Sequence, residues 1–189
     1  MEHRKTLLML CGPSGCGKST LESQLATLDN VKKIISVTTR TPIRSGEQDG
    51  VDYHFISPEK FAALQLQNEL VQQTEFAGFS YGTTLSEYTT EHEFAILSLV
   101  PSSAKTFIPI IKNKIQNIET VLIYFDISHE RLVQNMRARG DSEENISNRI
   151  MRDDLREQMH ESGLVADLVI TDDLLNSDTC GLVRKKFNI

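Results

Sequence analysis

Residues 12–19 read Gly-Pro-Ser-Gly-Cys-Gly-Lys-Ser and match G-x-x-x-x-G-K-[ST] at every fixed position. The flanks supply the context this motif needs. Residues 6–11 (Thr-Leu-Leu-Met-Leu-Cys) form an apolar run of strand length, and residues 19–28 suit a helix. In a strand–turn–helix of this kind the glycines let successive backbone N–H groups face phosphate oxygens, and the helix N-terminus adds partial positive charge. Gly12, Pro13, Ser14, Gly15, Cys16, Gly17, Lys18, Ser19 and Thr20 are therefore the candidate triphosphate cradle. Lys18 is assigned to the β- and γ-phosphates, and the Ser19 hydroxyl to a Mg²⁺ ion carried with them. A chance glycine-rich turn would not need an apolar strand before it and a helix after it. The sequence thus predicts binding of a nucleoside triphosphate.

A second polar cluster lies downstream. Residues 38–53 (TTRTPIRSGEQDGVDY) hold hydroxyls, two arginines and a tyrosine in one loop. Guanidinium forks and phenol hydroxyls suit a small phosphate group. By itself such a loop would read as solvated surface; on a short chain that also carries a phosphate loop, it points to a second phosphorylated substrate.

The rest of the composition narrows the class. A chain of 189 residues suits one domain with small inserted lobes, and 39% hydrophobic with 24% charged residues is ordinary for a globular protein. A formal net charge of -6 argues against general binding to nucleic acid or anionic membrane, both of which demand a basic face. No stretch approaches the ~20 apolar residues of a membrane span. The basic start Met1-Glu2-His3-Arg4-Lys5 leads into an apolar run, but that run ends in the phosphate loop without a cleavage pattern, so it reads as a first strand rather than a signal peptide. Cys11, Cys16 and Cys180 make no framework spacing, which points to a reducing compartment and a cytoplasmic protein. The five histidines show no zinc spacing and read as surface or structural residues.

The elements that must position these residues follow from the hydrophobic pattern. Residues 31–37 are β-rich, and 53–56 form a short strand. Ser57 caps a helix whose first position is Pro58. Residues 70–81 alternate between glycines 78 and 82 as short antiparallel strands, 94–100 is a buried parallel strand, and 102–115 a helix. A strand at 120–125 is followed by a helix at 129–138, a break at Arg139-Gly140-Asp141, and a helix capped by Ser142 that runs to Gly163 along a stripe of Ile146, Ile150 and Leu155. A last strand at 168–170 precedes a helical C-terminal stretch from Asp173. Strands alternating with helices predict a three-layer α/β domain around a central parallel sheet, and residues 37–90 interrupt the alternation as an inserted lobe.

These segments together resemble the guanylate kinase family over nearly the whole chain. The resemblance is carried by Gly12-Pro13-Ser14-Gly15, by Ser36 through Tyr53 (S-x-T-T-R-x-P, then G-E-x-D-G-x-D-Y), by Tyr81-Gly82-Thr83, by Arg139-Gly140 and by Thr171-Asp172-Asp173-Leu174. It implies a P-loop NTPase fold with a core of residues 1–36 and 91–189, a mixed α/β monophosphate-binding lobe at 37–90, and a short lid at about 139–148. It also implies transfer of the γ-phosphoryl group of ATP, with Mg²⁺, to a nucleoside monophosphate. The expected partners are those two small molecules, with no nucleic acid and no membrane, in a monomer or homodimer. Carried over by motif, Arg40, Arg44, Tyr53 and Tyr81 hold the acceptor phosphate, Ser36 lies near the base, Thr83 keeps a hydroxyl in the monophosphate site where the family often has serine, and Arg139 and Arg149 close over ATP beside Lys18. Arg44 matches only with a one-residue insertion at Ile43, and the lid segment is one residue short.

Two departures bear on specificity. Gln72 stands where the resemblance leads one to expect a carboxylate that reads guanine, and Ser98 and Val100 occupy the places of two aspartates after the central strand. Guanine offers N1–H and N2–H₂ donors; a carboxylate accepts from both, an amide in part, and a valine not at all. The acceptor is therefore GMP or dGMP read by substitute groups, or a different or modified nucleotide. A small sugar-phosphate kinase and an inactive phosphopeptide-binding module are the alternatives; the phosphate loop and Tyr81-Gly82-Thr83, kept in nucleotide-kinase form, weigh against the first, and the intact loop with Lys18 and both lid arginines against the second.

Overall fold

The computed structural model describes residues 5–44, 46–76, 78–152, 155–175 and 178–189. The N-terminal tetrapeptide and Ser45 fall outside these residues, as does the side chain of Leu155, so the predicted stripe is described only through Ile146 and Ile150.

The first strand, β1 (Lys5–Cys11), is the centre of a parallel sheet. It is flanked by β7 (Phe94–Leu99) and β8 (Ile118–Phe125), with β2 (Val31–Lys33) beyond β7 and β9 (Leu168–Ile170) beyond β8. All of these pairings are parallel. Buried on both faces, the strands read as continuous apolar runs, and their alternation sorts side chains between two cores. Leu8, Leu10, Phe94, Ile96, Val121, Ile123 and Phe125 face one way. They pack with Leu21 and Leu25 of α1 (Lys18–Leu25), Leu132 and Met136 of α4 (His129–Ala138) and Val183 of the C-terminal helix (Thr179–Phe187). Leu7, Met9, Leu97, Leu99 and Leu122 face the other way, onto Ala104, Phe107 and Ile111 of α3 (Pro101–Lys114). The spacing of each helical set places it on one stripe, and each large side chain contributes roughly 1.5–3 kcal/mol on burial.

The lobe has its own sheet, in the order β4-β3-β6-β5. Here β3 (Ser36–Thr38) pairs parallel with β4 (Tyr53–Phe55) and antiparallel with β6 (Phe79–Thr84), which forms a hairpin with β5 (Leu70–Phe76). Helix α2 (Pro58–Leu66) opens as predicted, with Ser57 Oγ accepting from the Lys60 N–H at 3.3 Å. A short 3₁₀ turn (Leu85–Tyr88) leads back to the core.

One expectation changes. The β-rich segment 31–37 is two strands in two sheets. The Ile34 N–H still donates to Ile96 O of β7 at 2.9 Å, but the Ile35 N–H donates to Glu87 Oε2 at 3.1 Å, and the chain leaves the core between them. The helix read from Ser142 to Gly163 is present over its described parts, α5 (Glu143–Arg152) and α6 (Leu155–Ser162); residues 153–154 between them lie outside the described residues. The cap is as expected, Ser142 Oγ accepting from the Asn145 N–H at 3.3 Å, and Gly163 with φ +67° ends the second piece. Among the described residues no helix is long and apolar enough to cross a membrane.

Candidate active site

Residues 12–17 join β1 to α1 at the carboxyl end of the sheet, where ligands of open parallel α/β sheets bind. Gly17, at φ +101°, is the N-cap of α1 and turns the chain into the helix without a side-chain cap. Gly12 is needed for another reason: a Cβ there would lie 2.7 Å from Phe125 Cβ and 2.9 Å from Cys16 Sγ. Neither neighbour has room to move, because Cys16 and Phe125 are fully buried. Gly12→Ala is expected to cost about 1–3 kcal/mol through overpacking, read as a lowered midpoint in urea unfolding. An unchanged midpoint would show that the loop relaxes freely. Helix α4 braces the loop from outside, with Asn135 Nδ2 donating to Gly15 O at 2.8 Å.

Lys18 is the first residue of α1, and its Nζ donates to Gly12 O at 2.7 Å and Pro13 O at 2.9 Å, so the ammonium is held over the loop. Ser19 and Thr20 follow on the helix with exposed side chains. Cys16, at the x position of the loop before Gly17, is a small side chain packed into the core. The neighbouring Cys11 thiol is pushed up to about 12 by burial and is chemically quiet.

Pro13 and Ser14 also line a cleft of about 170 Å³ that is bounded by Tyr124, Asp126, Arg149 and Arg156. The structure therefore brings Arg149 of α5 to the phosphate loop. Arg139 is elsewhere: it is the exposed C-cap of α4, and its Nε donates to Asp141 Oδ2 at 2.7 Å. Arg156 was missed by the sequence reading, although it lies only seven residues beyond Arg149 in the sequence. It lines the same cleft, its Nε donating to Asp126 Oδ1 at 2.5 Å. That hydrogen bond and charge hold its guanidinium above the usual arginine range.

In the lobe, four of the predicted acceptor residues form one cluster. Arg40 is buried, its guanidinium carbon 5.5 Å from the centroids of both the Tyr53 and Phe55 rings. The Tyr53 and Tyr81 rings meet edge to face at 5.9 Å. Arg40 Nη2 donates to Glu47 Oε2 at 2.6 Å; the same oxygen accepts from the Arg44 N–H at 3.0 Å, and Glu47 Oε1 lies 3.8 Å from Arg44 Nη1. Burial by itself would lower the Arg40 guanidinium, but the Glu47 bond and charge outweigh it and hold it raised. Burial, then the neighbouring Tyr81, pushes the Tyr53 phenol up, so both remain in the donor form at neutral pH. Glu47 is the organising residue that sequence reasoning passed over; an acid three residues from one arginine and seven from the other was the available signal.

The remaining predicted residues lie on the lobe sheet. Ser36 is opposite Tyr53 in the β3–β4 ladder, and Gln72 is opposite Thr83 in the β5–β6 ladder. Gln72 is 7% exposed, whereas Glu75 is exposed on the other face. Thr83 is fully buried, and its Oγ1 accepts from the Tyr88 hydroxyl at 3.0 Å, so that hydroxyl is already engaged from within the core. Val100 is the N-cap of α3 and gives that helix no side-chain bond. Strand β5 packs against α3, which brings the elements carrying Gln72 and Val100 side by side.

The guanylate kinase family profile matches residues 4–185. The chain belongs to the guanylate kinase family. Guanylate kinase of Prochlorococcus marinus (strain MIT 9312) is 36% identical over 157 residues, which are 80% of this chain and 82% of that one. Guanylate kinase of Parasynechococcus marenigrum (strain WH8102) is 33% identical over 174 residues, covering 89% and 91%. The crystal structure of guanylate kinase from Anaplasma phagocytophilum superposes with a TM-score of 0.67 over 98% of this chain and 86% of its own, at 24% identity, and shares the fold. The enzyme class is that of the family: a nucleoside monophosphate kinase, a phosphotransferase that uses ATP.

Proposed function

We propose that this chain transfers the γ-phosphoryl group of Mg²⁺-ATP to a nucleoside monophosphate of the (d)GMP class, with the base read by Gln72 rather than by a carboxylate. The observation that carries the reading is the preassembled cluster of Arg40, Tyr53 and Tyr81 around Glu47, in a lobe joined to an intact phosphate loop. Phosphoryl transfer needs positioning and charge stabilisation rather than covalent chemistry from the protein. Arg40, Arg44 and the two tyrosines align the acceptor phosphate, while Lys18 and Arg149 meet the charge that develops on the transferred group. Mg²⁺ fits the residues present. It binds ATP through phosphate oxygens and needs only one or two protein donors, and Ser19 offers an exposed hydroxyl on the first turn of α1. When bound, the ion neutralises the phosphate oxygens.

The deciding assay measures ADP formed from ATP alone and with each common ribo- and deoxynucleoside monophosphate. Acceptor-dependent ADP with GMP or dGMP supports the reading; its absence with every nucleotide rejects it and favours a binding module.

The two arginines should separate in the same assay. Arg44 is exposed, so Arg44→Ala is expected to raise the acceptor KM about tenfold or more through loss of a charge-assisted contact, with unchanged melting and unchanged ATP affinity. Arg40→Ala should show the same kinetic defect and also a lowered melting temperature, because it strips Glu47 of its buried partner. A rise in the ATP dissociation constant alone, for either variant, would place the arginines on the wrong substrate.

A further inference from the structure

The first helix buries a carboxylate that the site described so far does not use. Glu22 is 7% exposed, and it stands between Leu21 and Leu25 on the helix that the phosphate loop opens. It lies four residues after Lys18 and three after Ser19, which puts all three on adjoining positions of one helical face. Ser98, the penultimate residue of β7, has the strand parity of Phe94 and Ile96, whose side chains point into the core that α1 covers. It is paired in register with Leu10, two residues before Gly12. Ser98 Oγ is buried and completes no well-formed hydrogen bond, and the group it adjoins is the Glu22 carboxyl. The charged groups facing that carboxyl are Lys33, at the end of β2, and Lys18.

An acid this deep needs a reason to be kept. Lys33 Nζ donates to Val51 O at 2.9 Å, and Lys18 Nζ is bonded to the loop carbonyls, so neither ammonium is committed to Glu22 through a hydrogen bond. Burial disfavours the charged form. A cation brought in beside Ser19 would offset that cost.

We propose that Glu22 is the carboxylate that holds the Mg²⁺ of bound ATP, with Ser98 steadying it and Ser19 as the neighbouring donor. The proposal rests on the kinase reading above and names how this chain carries the metal. Mg²⁺ keeps part of its hydration and takes one or two carboxylates beside substrate phosphates, a demand that a single buried acid with a hydroxyl partner satisfies. Without metal the same carboxylate repels the triphosphate, so Glu22 makes ATP binding depend on Mg²⁺.

The test is nucleotide binding by calorimetry on the whole chain, with ATP in EDTA and then across a Mg²⁺ titration. For Glu22→Gln, which keeps the shape and loses the charge, metal-free ATP should bind as well as to the wild type or better, and the Mg²⁺ concentration for half-effect should rise about 10–100-fold. Ser98→Asp in that background should recover the Mg²⁺ response, because it returns an acid to the same pocket from the strand side. If Glu22→Gln does not fold, Glu22→Asp reports instead, and its shortened reach should shift the Mg²⁺ midpoint upward. A wild-type Mg²⁺ response in the folded variant overturns the proposal and leaves Glu22 as a counter-ion for Lys33. If the wild type itself transfers phosphate to no acceptor, the kinase reading has failed, a result that the wild-type controls show separately.

Discussion

Lys18→Ala is expected to abolish phosphoryl transfer while the protein stays folded. The Lys18 ammonium is fixed over the phosphate loop by two carbonyls, so the charge is delivered to the triphosphate without reorganising the backbone. Charge grows on the bridging and γ-oxygens as the phosphoryl group leaves, and a preorganised cation in a site closed to water acts on that growth more than on the ground state. Loss of one such donor costs on the order of 10²–10³-fold in turnover, and Lys18 also supplies binding, so kcat/KM should fall further than kcat. Folding should suffer little, because the side chain is only half buried and leaves no cavity in the sheet. Single-turnover transfer from γ-labelled ATP, alongside thermal melting, tests both halves. A variant that keeps a tenth of the wild-type rate would remove Lys18 from the chemistry.

Why the sequence exposed some of this and hid the rest is a matter of range. The phosphate loop, the Ser57 and Ser142 caps and the strands of the parallel sheet are set by residues within a few positions of one another, and turn, cap and alternation chemistry read them directly. The exit of the chain between Ile34 and Ile35 is not local. It depends on Ile96 accepting one amide and Glu87 the next, and a β-branched run reads as one strand until its partners are known. Glu47 and Arg156 were hidden for the same reason, since each matters through a partner that folding brings to it. Glu22 is the clearest case. A charge beside Leu21 on an amphipathic helix reads as its solvent edge, and only the placement of β7 under α1 makes it a buried acid. The identity of Gln72 was legible; what the fold adds is its burial on the face opposite the exposed Glu75, so the nearby acid does not share its side of the strand.

Discrimination in favour of guanine should be weaker here than a carboxylate site would give. Gln72 is buried on β5, beside the helix that Val100 caps, and neither residue is an acid. A site built to pair a polar group rejects analogues that lack it by large factors, and withdrawing the pairing groups withdraws the selectivity. Each guanine donor left without a partner costs about 1–3 kcal/mol. An amide keeps one acceptor and one donor, so Gln72 also suits a base with a carbonyl beside an N–H, such as thymine. The natural enzyme should therefore prefer GMP or dGMP over the next nucleotide by well under a thousandfold in kcat/KM. Gln72→Glu combined with Val100→Asp should raise that preference by roughly one to two orders of magnitude, in line with one or two regained hydrogen bonds. The structure supplies a control. Val100 caps α3 without a side-chain bond, so an aspartate there also stabilises the helix by about 1 kcal/mol. Val100→Ser caps equally well but carries no charge and reaches less far. It should raise the melting temperature and leave base preference where it was. If the natural protein already favours GMP or dGMP a thousandfold over every other monophosphate, other groups read the base, and neither Gln72 nor Val100 sets the specificity.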